Sequence, residues 1–474
     1  MISSTTRAAP LKEAAARATR PARRPLHLRP VAMASASAKT QQQQRQQQRT
    51  CLSHLERVAL PRARLQRLAP YADADAELAV LVSDPLLIEA TSGGSGNGSS
   101  KKGAQERTRA AVAAVDAAVD SALQRAFGQE GDEDDDDDDQ DHALLFLQRC
   151  LYRLNRLTYV FYDGAPLDAT YGNERAPWLL ALRDRIEAHW QPWELEEMAA
   201  QDAGADALLA RYQSLDAPAV ERELLSRLER DRYRPSAPTS PSPDLAALRD
   251  RLNPKGYAHL LAAGAHDGLT EASRQSRVCA GAGHPAASAC FRILSDEYGG
   301  GKLERKHSTF YAQAMKACGV LLPDDDDDNS PSSSLSPAER WIDLAPWQSL
   351  AATNHNFLLA ERRRHFLRYC GALAAFELAG PRAYEAYASA ADRLEVALGG
   401  SEEEGALGGY WRLHVREDAR HGPQALKEVA LPLVALWGDA FAWEALLGYD
   451  QENFLAARAT AAVRRDVEEW GGFD

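Results

Sequence analysis

Along most of this chain apolar positions recur every three or four residues, the interval that gathers them on one face of an α-helix. From Ala143 the pattern predicts helices over 143–161, 175–191, 193–213 and 217–231. Past a proline-rich stretch it predicts them over 244–265, 269–278, 286–297, 302–318, 338–346, 350–379, 381–398, 407–421, 423–444 and 450–470. Upstream, residues 52–90 read as one or two short helices punctuated by Pro61, Pro70 and Pro85, and 104–128 as a helix with alanine and valine along one face. β-Branched runs of the strand-forming kind are scarce. The expected fold class is all-α.

The breaks between these segments set the domain organisation. A glutamine-rich tract, Gln41 to Gln48, has no means of building a packed core and is expected to be disordered. Thr91 to Ser100 is a glycine- and serine-rich linker, and the like charges of Glu130 to Asp141 keep that run solvated. Pro235 to Pro243 is the clearest internal boundary. Two further inserts, Asp324 to Ser336 and Gly399 to Gly409, decorate loops of the last domain. The expected division is a leader (1–39), the glutamine tract (40–51), an N-terminal helical extension (52–142), a helical region packing on the core (143–235) and a domain over 244–474.

Composition alters this picture at the N-terminus. Residues 1–39 hold eight Lys/Arg against one acid, Glu13, are rich in Ser, Thr and Ala, and lack a continuous apolar stretch. That is the composition of an organelle transit peptide, with Val31 to Ala36 suited to processing; the expected destination is the chloroplast stroma, with the mitochondrion as the alternative. Without this segment the formal charge moves from −13 to about −20. So acidic a protein lacks the basic face that nucleic acid requires. No apolar run is long enough to span a membrane. The six cysteines are scattered without a CxxC pair, and Cys279, His284 and Cys290, which could ligate zinc in principle, match no standard zinc spacing.

The chemistry concentrates in the last third. His414, Asp418 and His421 stand at i, i+4 and i+7, within a sector of roughly 60° on one helix face at about 100° per residue. Two imidazoles and a carboxylate so placed suit iron, manganese or zinc. The flanking Tyr410-Trp411-Arg412-Leu413 turns that face toward an apolar core, where unpaired polar groups are costly. Further ligands should come from other helices. His307 follows Glu297-Tyr-Gly-Gly-Gly, and Glu304 forms with it a Glu-x-x-His pair of the kind used in di-iron carboxylate bundles. Glu377 is the lone acid of a stretch so apolar that the carboxylate must be paired, protonated or metal-bound. Glu271 is a further carboxylate candidate, set against an ordinary helix-start charge. Glu361-Arg-Arg-Arg-His365 reads as a solvated face, His355 and His259 as structural histidines, and Trp178, Trp190 and Trp193 as packing anchors.

Taken in order, Glu297-Tyr-Gly-Gly-Gly with His307, then Phe-Glu377, then His414-x3-Asp418-x2-His421 resemble the haem-oxygenase-like di-iron oxidases, or iron-containing redox enzymes, over roughly 245–474. The resemblance implies a haem-oxygenase-like multi-helical bundle with an N-terminal helical extension, holding two non-haem irons in place of haem. It implies His307 and a glutamate, Glu297 or Glu304, on one side and Glu377 bridging or completing the pair. His414, Asp418 and His421 supply the rest, and Glu271 matches a carboxylate present only in some members. The implied activity is an O2-activating oxidase or oxygenase acting on an amino-acid- or fatty-acid-like molecule, with O2 as co-substrate and an electron donor as partner. A homodimer is left open. The competing expectations are a haem-binding haem oxygenase and a helical scaffold or iron-binding protein without oxidase activity.

Overall fold

A computed structural model describes residues 68–92, 99–128, 137–159, 167, 171–200, 203–234, 241–279, 283–318, 320, 342–397 and 406–474. The leader, the glutamine tract, the 324–336 insert and most of the other expected linkers lie outside the described residues. Within them the chain is all-α, as the apolar periodicity predicts. The helices are α1 (Ala72–Leu81), α2 (Leu87–Thr91), α3 (Ser99–Phe127), α4 (Asp137–Arg156), α5 (Pro177–Met198), α6 (Ala205–Gln213), α7 (Ala217–Asp231) and α8 (Pro243–Arg251). They continue as α9 (Pro254–Gly268), α10 (Pro285–Glu297), α11 (His307–Ala317), α12 (Trp347–Glu361), α13 (Phe366–Ala397), α14 (Gly409–Gln424), α15 (Leu431–Trp437) and α16 (Ala442–Glu469).

Local signals start many of these helices. Proline occupies an early position of α5, α7, α8, α9 and α10, where its missing amide costs nothing. Asp216, Ser242 and Asn253 cap α7, α8 and α9 by accepting the backbone amides of Ala219, Leu245 and Gly256.

Prolines further inside mislead. The predicted break at Pro192 is absent: Pro192 and Ala188, whose carbonyl it leaves without its helical amide, are both exposed residues, a setting in which water can serve as the partner. The chain breaks after Met198 instead, and Gly204 supplies a left-handed turn (φ +97°) before α6. Likewise the expected break at 380 falls earlier, at the extended Arg362, and α13 runs uninterrupted through Pro381. A third displaced boundary lies near 445: α14 passes through a π-helical segment, Ala425–Ala430, into α15, and the turn comes at Gly438. The predicted helix over 269–278 is a 3-10 turn, Glu271–Arg277.

Three large apolar clusters hold the bundle. One joins α1, α3, α4 and α5 to Trp347, Ala351 and Leu358 of α12, with Trp190 buried and Trp178 and Trp193 packed against it. A second is built from the N-terminal half of α13, the π segment, α10 and the start of α16, and it takes in Leu208, Tyr212, Val220, Leu224 and Leu228 of α6 and α7. The third gathers α8, α9 and α11 around the C-terminal half of α13, Tyr410 and Trp411. Each buried leucine, valine or aromatic contributes roughly 1.5–3 kcal/mol. α13 passes from one of the last two clusters to the other, as does α14 together with the π segment that continues it. Glu377, Asp418 and His421 belong to neither and lie on these two helices where the clusters meet.

Candidate metal centre

α14 presents His414, Asp418 and His421 on its inner face, each no more than 1% exposed. Glu377 faces them from α13. One turn further along, Pro381 has no amide to offer the Glu377 carbonyl, so the helix is opened at the ligand itself. α13 and α14 meet closely there: a Cβ added to Gly422 would stand 2.8 Å from the Glu377 carbonyl oxygen. No other residue type fits at 422 without moving the helices apart.

The other ligands come from irregular backbone. Glu297 is the last residue of α10, and Gly299, Gly300 and Gly301 then turn the chain with φ of +62°, +62° and +82°. A short 3-10 turn, Leu303–Arg305, and an extended Lys306 lead to His307, the first residue of α11. Glu271 opens its own 3-10 turn with φ +30°, a value no other described non-glycine residue shares on the positive side. Such backbone strain persists only where surrounding structure enforces it, and it concentrates at functional sites.

These residues form two four-residue groups with one member in common. Glu271, Glu297, His307 and His414 make the first; Glu297, Glu377, Asp418 and His421 make the second; all seven side chains are buried. Glu297 divides its oxygens between them. Its Oε2 lies 2.6 Å from His307 Nδ1 and 4.0 Å from His414 Nε2, and its Oε1 lies 3.2 Å from His421 Nδ1. Glu271 Oε1 is 2.6 Å from His414 Nε2, which is itself 3.1 Å from His307 Nδ1. In the second group Glu377 Oε2 and Asp418 Oδ1 lie 3.5 and 3.9 Å from His421 Nδ1. The carboxylate shared by the two groups is thus Glu297, whereas Glu377 completes one side only.

Glu304 belongs to neither group. It is exposed in the 3-10 turn, and the extended Lys306 between it and His307 removes the one-turn helical spacing on which the Glu-x-x-His expectation rests. Cys279 and Cys290 touch, with Sγ atoms 3.6 Å apart, but His284 uses its Nδ1 to accept the Ala286 amide at the start of α10. Cys279, His284 and Cys290, whose spacing fits no standard zinc motif, form no ligand group among the described residues. Arg362 pairs with Asp184 and Glu187, and Arg363 donates to the Arg277 carbonyl, so these arginines tie segments together.

Two positioning residues were not visible in the sequence. Asp296 Oδ2 lies 3.3 Å from His421 Nε2, on the side of the ring away from the ligand group. The Tyr410 carbonyl accepts from His414 Nδ1 at 3.0 Å, which leaves the Nε2 lone pair turned to Glu271 and Glu297. Outer partners of this kind fix ring orientation and tautomer in metal sites. The Tyr410 hydroxyl also donates to Glu271 Oε1 at 3.0 Å, so one residue steadies two ligands. A tyrosine one turn before a histidine is the signal that would have found it; for Asp296, adjacent to Glu297, the sequence carries none. Tyr311, Tyr384 and Trp411 pack around His414 and Tyr410 as an aromatic wall.

The electrostatics show what the cluster lacks. Four buried carboxylates stand together, and a buried charge without compensation is costly. Burial, the largest influence on His414 and His421, opposes their protonation. Glu271 and Glu297 nevertheless raise His414 to about 9, and Glu297 with Glu377 raises His421 to about 10. Burial likewise opposes ionisation of Glu297, but His307, His421 and His414 hold it well below the usual carboxylate range. Burial first, then Glu377, Glu297 and Glu271, push Asp418 well above that range. Yet neither Asp418 oxygen, nor Glu297 Oε1, Glu377 Oε2 or His421 Nδ1, makes a hydrogen bond of adequate geometry. Donor atoms that converge without pairing, in a field strong enough to hold protons on imidazoles above neutrality, fit divalent cations. Two such ions would balance the four carboxylates and take all three imidazoles as neutral ligands.

Comparison with known proteins agrees with this donor set. Over 191 residues the chain is 28% identical to the nitrosourea synthase of Streptomyces achromogenes subsp. streptozoticus, a stretch that covers 40% of this chain. It covers 36% of the relative, so the chain spans little more than a third of that protein's length. Residues 258–450 match the family of iron-containing redox enzymes, and all seven clustered residues lie inside the match. The all-α architecture is consistent with the haem-oxygenase-like fold of that family. The domain that carries both ligand groups is thus similar to the iron-containing redox enzymes.

Proposed function

We propose that the two groups, which share Glu297, would hold a pair of non-haem irons, and that the protein is an O2-activating oxidase or oxygenase of a small organic molecule. The sharing of Glu297, one oxygen to each group, carries this reading. Bound there, two ferrous ions would supply the electrons and Lewis acidity for reducing O2. Glu297 would offer one oxygen to each site, while Glu271, Glu377 and Asp418 would supply the remaining negative charge that favours higher oxidation states. Asp296 and the Tyr410 carbonyl keep His421 and His414 oriented, and the aromatic wall of Tyr311, Tyr384 and Trp411 limits water at one side. An external electron donor is part of the proposal. The substrate proposed is amino-acid- or fatty-acid-like, and likeness to a protein named for making a nitrosourea supports an organic nitrogen compound within that class. We also propose delivery to the chloroplast stroma, or alternatively to the mitochondrion, on the strength of the basic, acid-poor residues 1–39.

Anaerobic titration with Fe(II) followed by exposure to O2 tests the assignment. The expected result is an endpoint at two irons per chain and an O2-dependent optical change whose decay a substrate in metabolite extracts accelerates. A Soret band from bound haem, or iron that never responds to O2, would overturn it in favour of a haem enzyme or a scaffold respectively.

Gly422→Ala separates the two groups. The added methyl must displace the Glu377 carbonyl or the Leu378 side chain, each 2.8 Å away, and so spread Glu377 from Asp418 and His421. Iron is expected to fall from about two per chain to about one, with helical content retained, as read by metal analysis and circular dichroism. Two irons retained at wild-type affinity would show that this close approach does not position the second group.

A further inference from the structure

A second buried polar cluster, containing none of the seven clustered residues, lies where α5 and α6 meet α12, α13 and α16. A cleft of about 270 Å³ opens there, lined by Glu194, His355 and Gln451 together with Leu195, Leu209 and Leu359 among its apolar residues. Glu194, His355 and Gln451 are only 3%, 2% and 2% exposed. Their mutual bonds run one way: Gln451 Nε2 donates to Glu194 Oε1 at 3.0 Å, and His355 Nδ1 approaches the same oxygen at 3.1 Å. That leaves Glu194 Oε2, Gln451 Oε1 and His355 Nε2, all buried, without a hydrogen-bond partner. In the neutral tautomer that donates from Nδ1 to Glu194, His355 Nε2 is an acceptor. Three acceptor atoms thus line one cleft with no donor to satisfy them, and leaving buried polar atoms unpaired is unfavourable.

Charge narrows what can fill the gap. Among the described residues no lysine or arginine pairs with Glu194, and Arg368 at the cleft has its Nε engaged by Glu444 at 2.5 Å. The acidic side chains of Glu196 and Asp206 stand exposed at the rim. The remaining lining is Pro192, Ala205 and Leu358, which are apolar, and Gln191, whose Nε2 donates to the Glu187 carbonyl. A ligand matching this surface carries several N–H donors and a positive charge at one end and a short apolar body at the other. We infer that the cleft is a binding site for a small organic ammonium ion, its head group donating to Glu194, Gln451 and His355 and its hydrocarbon lying along Leu195, Leu209 and Leu359. An –NH3+ group has three donors for three waiting acceptors, and its charge compensates the buried carboxylate.

Calorimetric titration of the full-length, iron-loaded protein tests this with three probes of one length: n-hexylammonium, 1-hexanol and hexanoate. Hexylammonium is expected to bind at least about tenfold more tightly than hexanol, the equivalent of about 1.4 kcal/mol for one charge-assisted contact, and hexanoate not to bind. Glu194→Gln should erase the preference for the ammonium over the alcohol. Leu209→Trp, which leaves the polar cluster intact and fills the cleft from a half-buried position, should block both. Circular dichroism and iron content confirm that each variant is folded. Equal binding of amine and alcohol, preference for hexanoate, no binding of any probe, or full ammonium binding by folded Glu194→Gln would each overturn the assignment. Because iron content is followed throughout, failure here is distinguishable from failure of the metal-centre reading.

Discussion

Glu297→Ala is expected to strip both irons from the protein, whereas Glu271→Ala and Glu377→Ala should each remove only one. The asymmetry follows from the shared carboxylate. Glu297 gives Oε2 to the side of His307 and His414 and Oε1 to the side of His421, so its loss takes a ligand and half a negative charge from each group. Glu271 and Glu377 each approach histidine on one side only. Glu297→Gln should behave like the alanine variant, because the amide keeps the shape but loses the charge, and its NH2 end would meet a cation with the wrong polarity. Metal analysis after Fe(II) loading gives the stoichiometry, and circular dichroism shows that the helices persist. One firmly bound iron in Glu297→Ala, or loss of both in Glu377→Ala, would contradict the arrangement of two groups about a common carboxylate. Glu304→Ala is the internal control, since that side chain is exposed and outside both groups.

The contrast between Glu297 and Glu304 also shows how far the sequence can be read. On paper both stand within reach of His307, and Glu304 has the more regular spacing. What separates them is backbone that no periodicity encodes: three left-handed glycines return the chain toward α10, and the extended Lys306 cuts Glu304 off from α11. The triad on α14 was legible because a helix converts spacing directly into direction, and Glu377 because an isolated acid in an apolar run has few tolerable environments. Glu271 was ambiguous for the opposite reason. Its position depends on a strained 3-10 turn where a regular helix was expected, and its neighbours in space, Tyr410 and His414, are distant in sequence. Asp296 could not have been found at all, because its role comes from an approach of α10 to α14. The same limit governs the helix ends. Pro192 and Pro381 look like terminators, but solvent satisfies the carbonyl freed by one, and the other sits beside a ligand where an opened helix has a use.

Removing the metal is expected to reverse the pH dependence of stability. In the metal-free protein His414 titrates near 9 and His421 near 10, both raised from an ordinary 6.5 because the carboxylates outweigh burial. A group whose folded pKa lies above its unfolded one gives stability that is complete below the unfolded value and lost as pH climbs through the folded value. Melting of the metal-free protein should therefore fall progressively between about pH 6.5 and 10, by on the order of 1.4 kcal/mol for each tenfold change in a histidine's proton affinity. Asp418, raised by burial and its neighbours, pulls in the same direction. Glu297, held low, stays ionised throughout this window and adds no slope to it. Metal binding demands neutral imidazoles and ionised carboxylates, so the loaded protein should gain affinity over the range in which the metal-free form loses stability. Mn(II), stable to air oxidation at neutral pH, is a suitable probe. The gap in melting temperature between loaded and metal-free protein should widen from pH 6.5 to 9, and titration in weak buffer near pH 7.5 should release about two protons per chain, from His414 and His421. A metal-free melting temperature that rises across that window, or metal uptake without proton release, would mean that the buried carboxylates do not hold the protons that the cations are expected to replace.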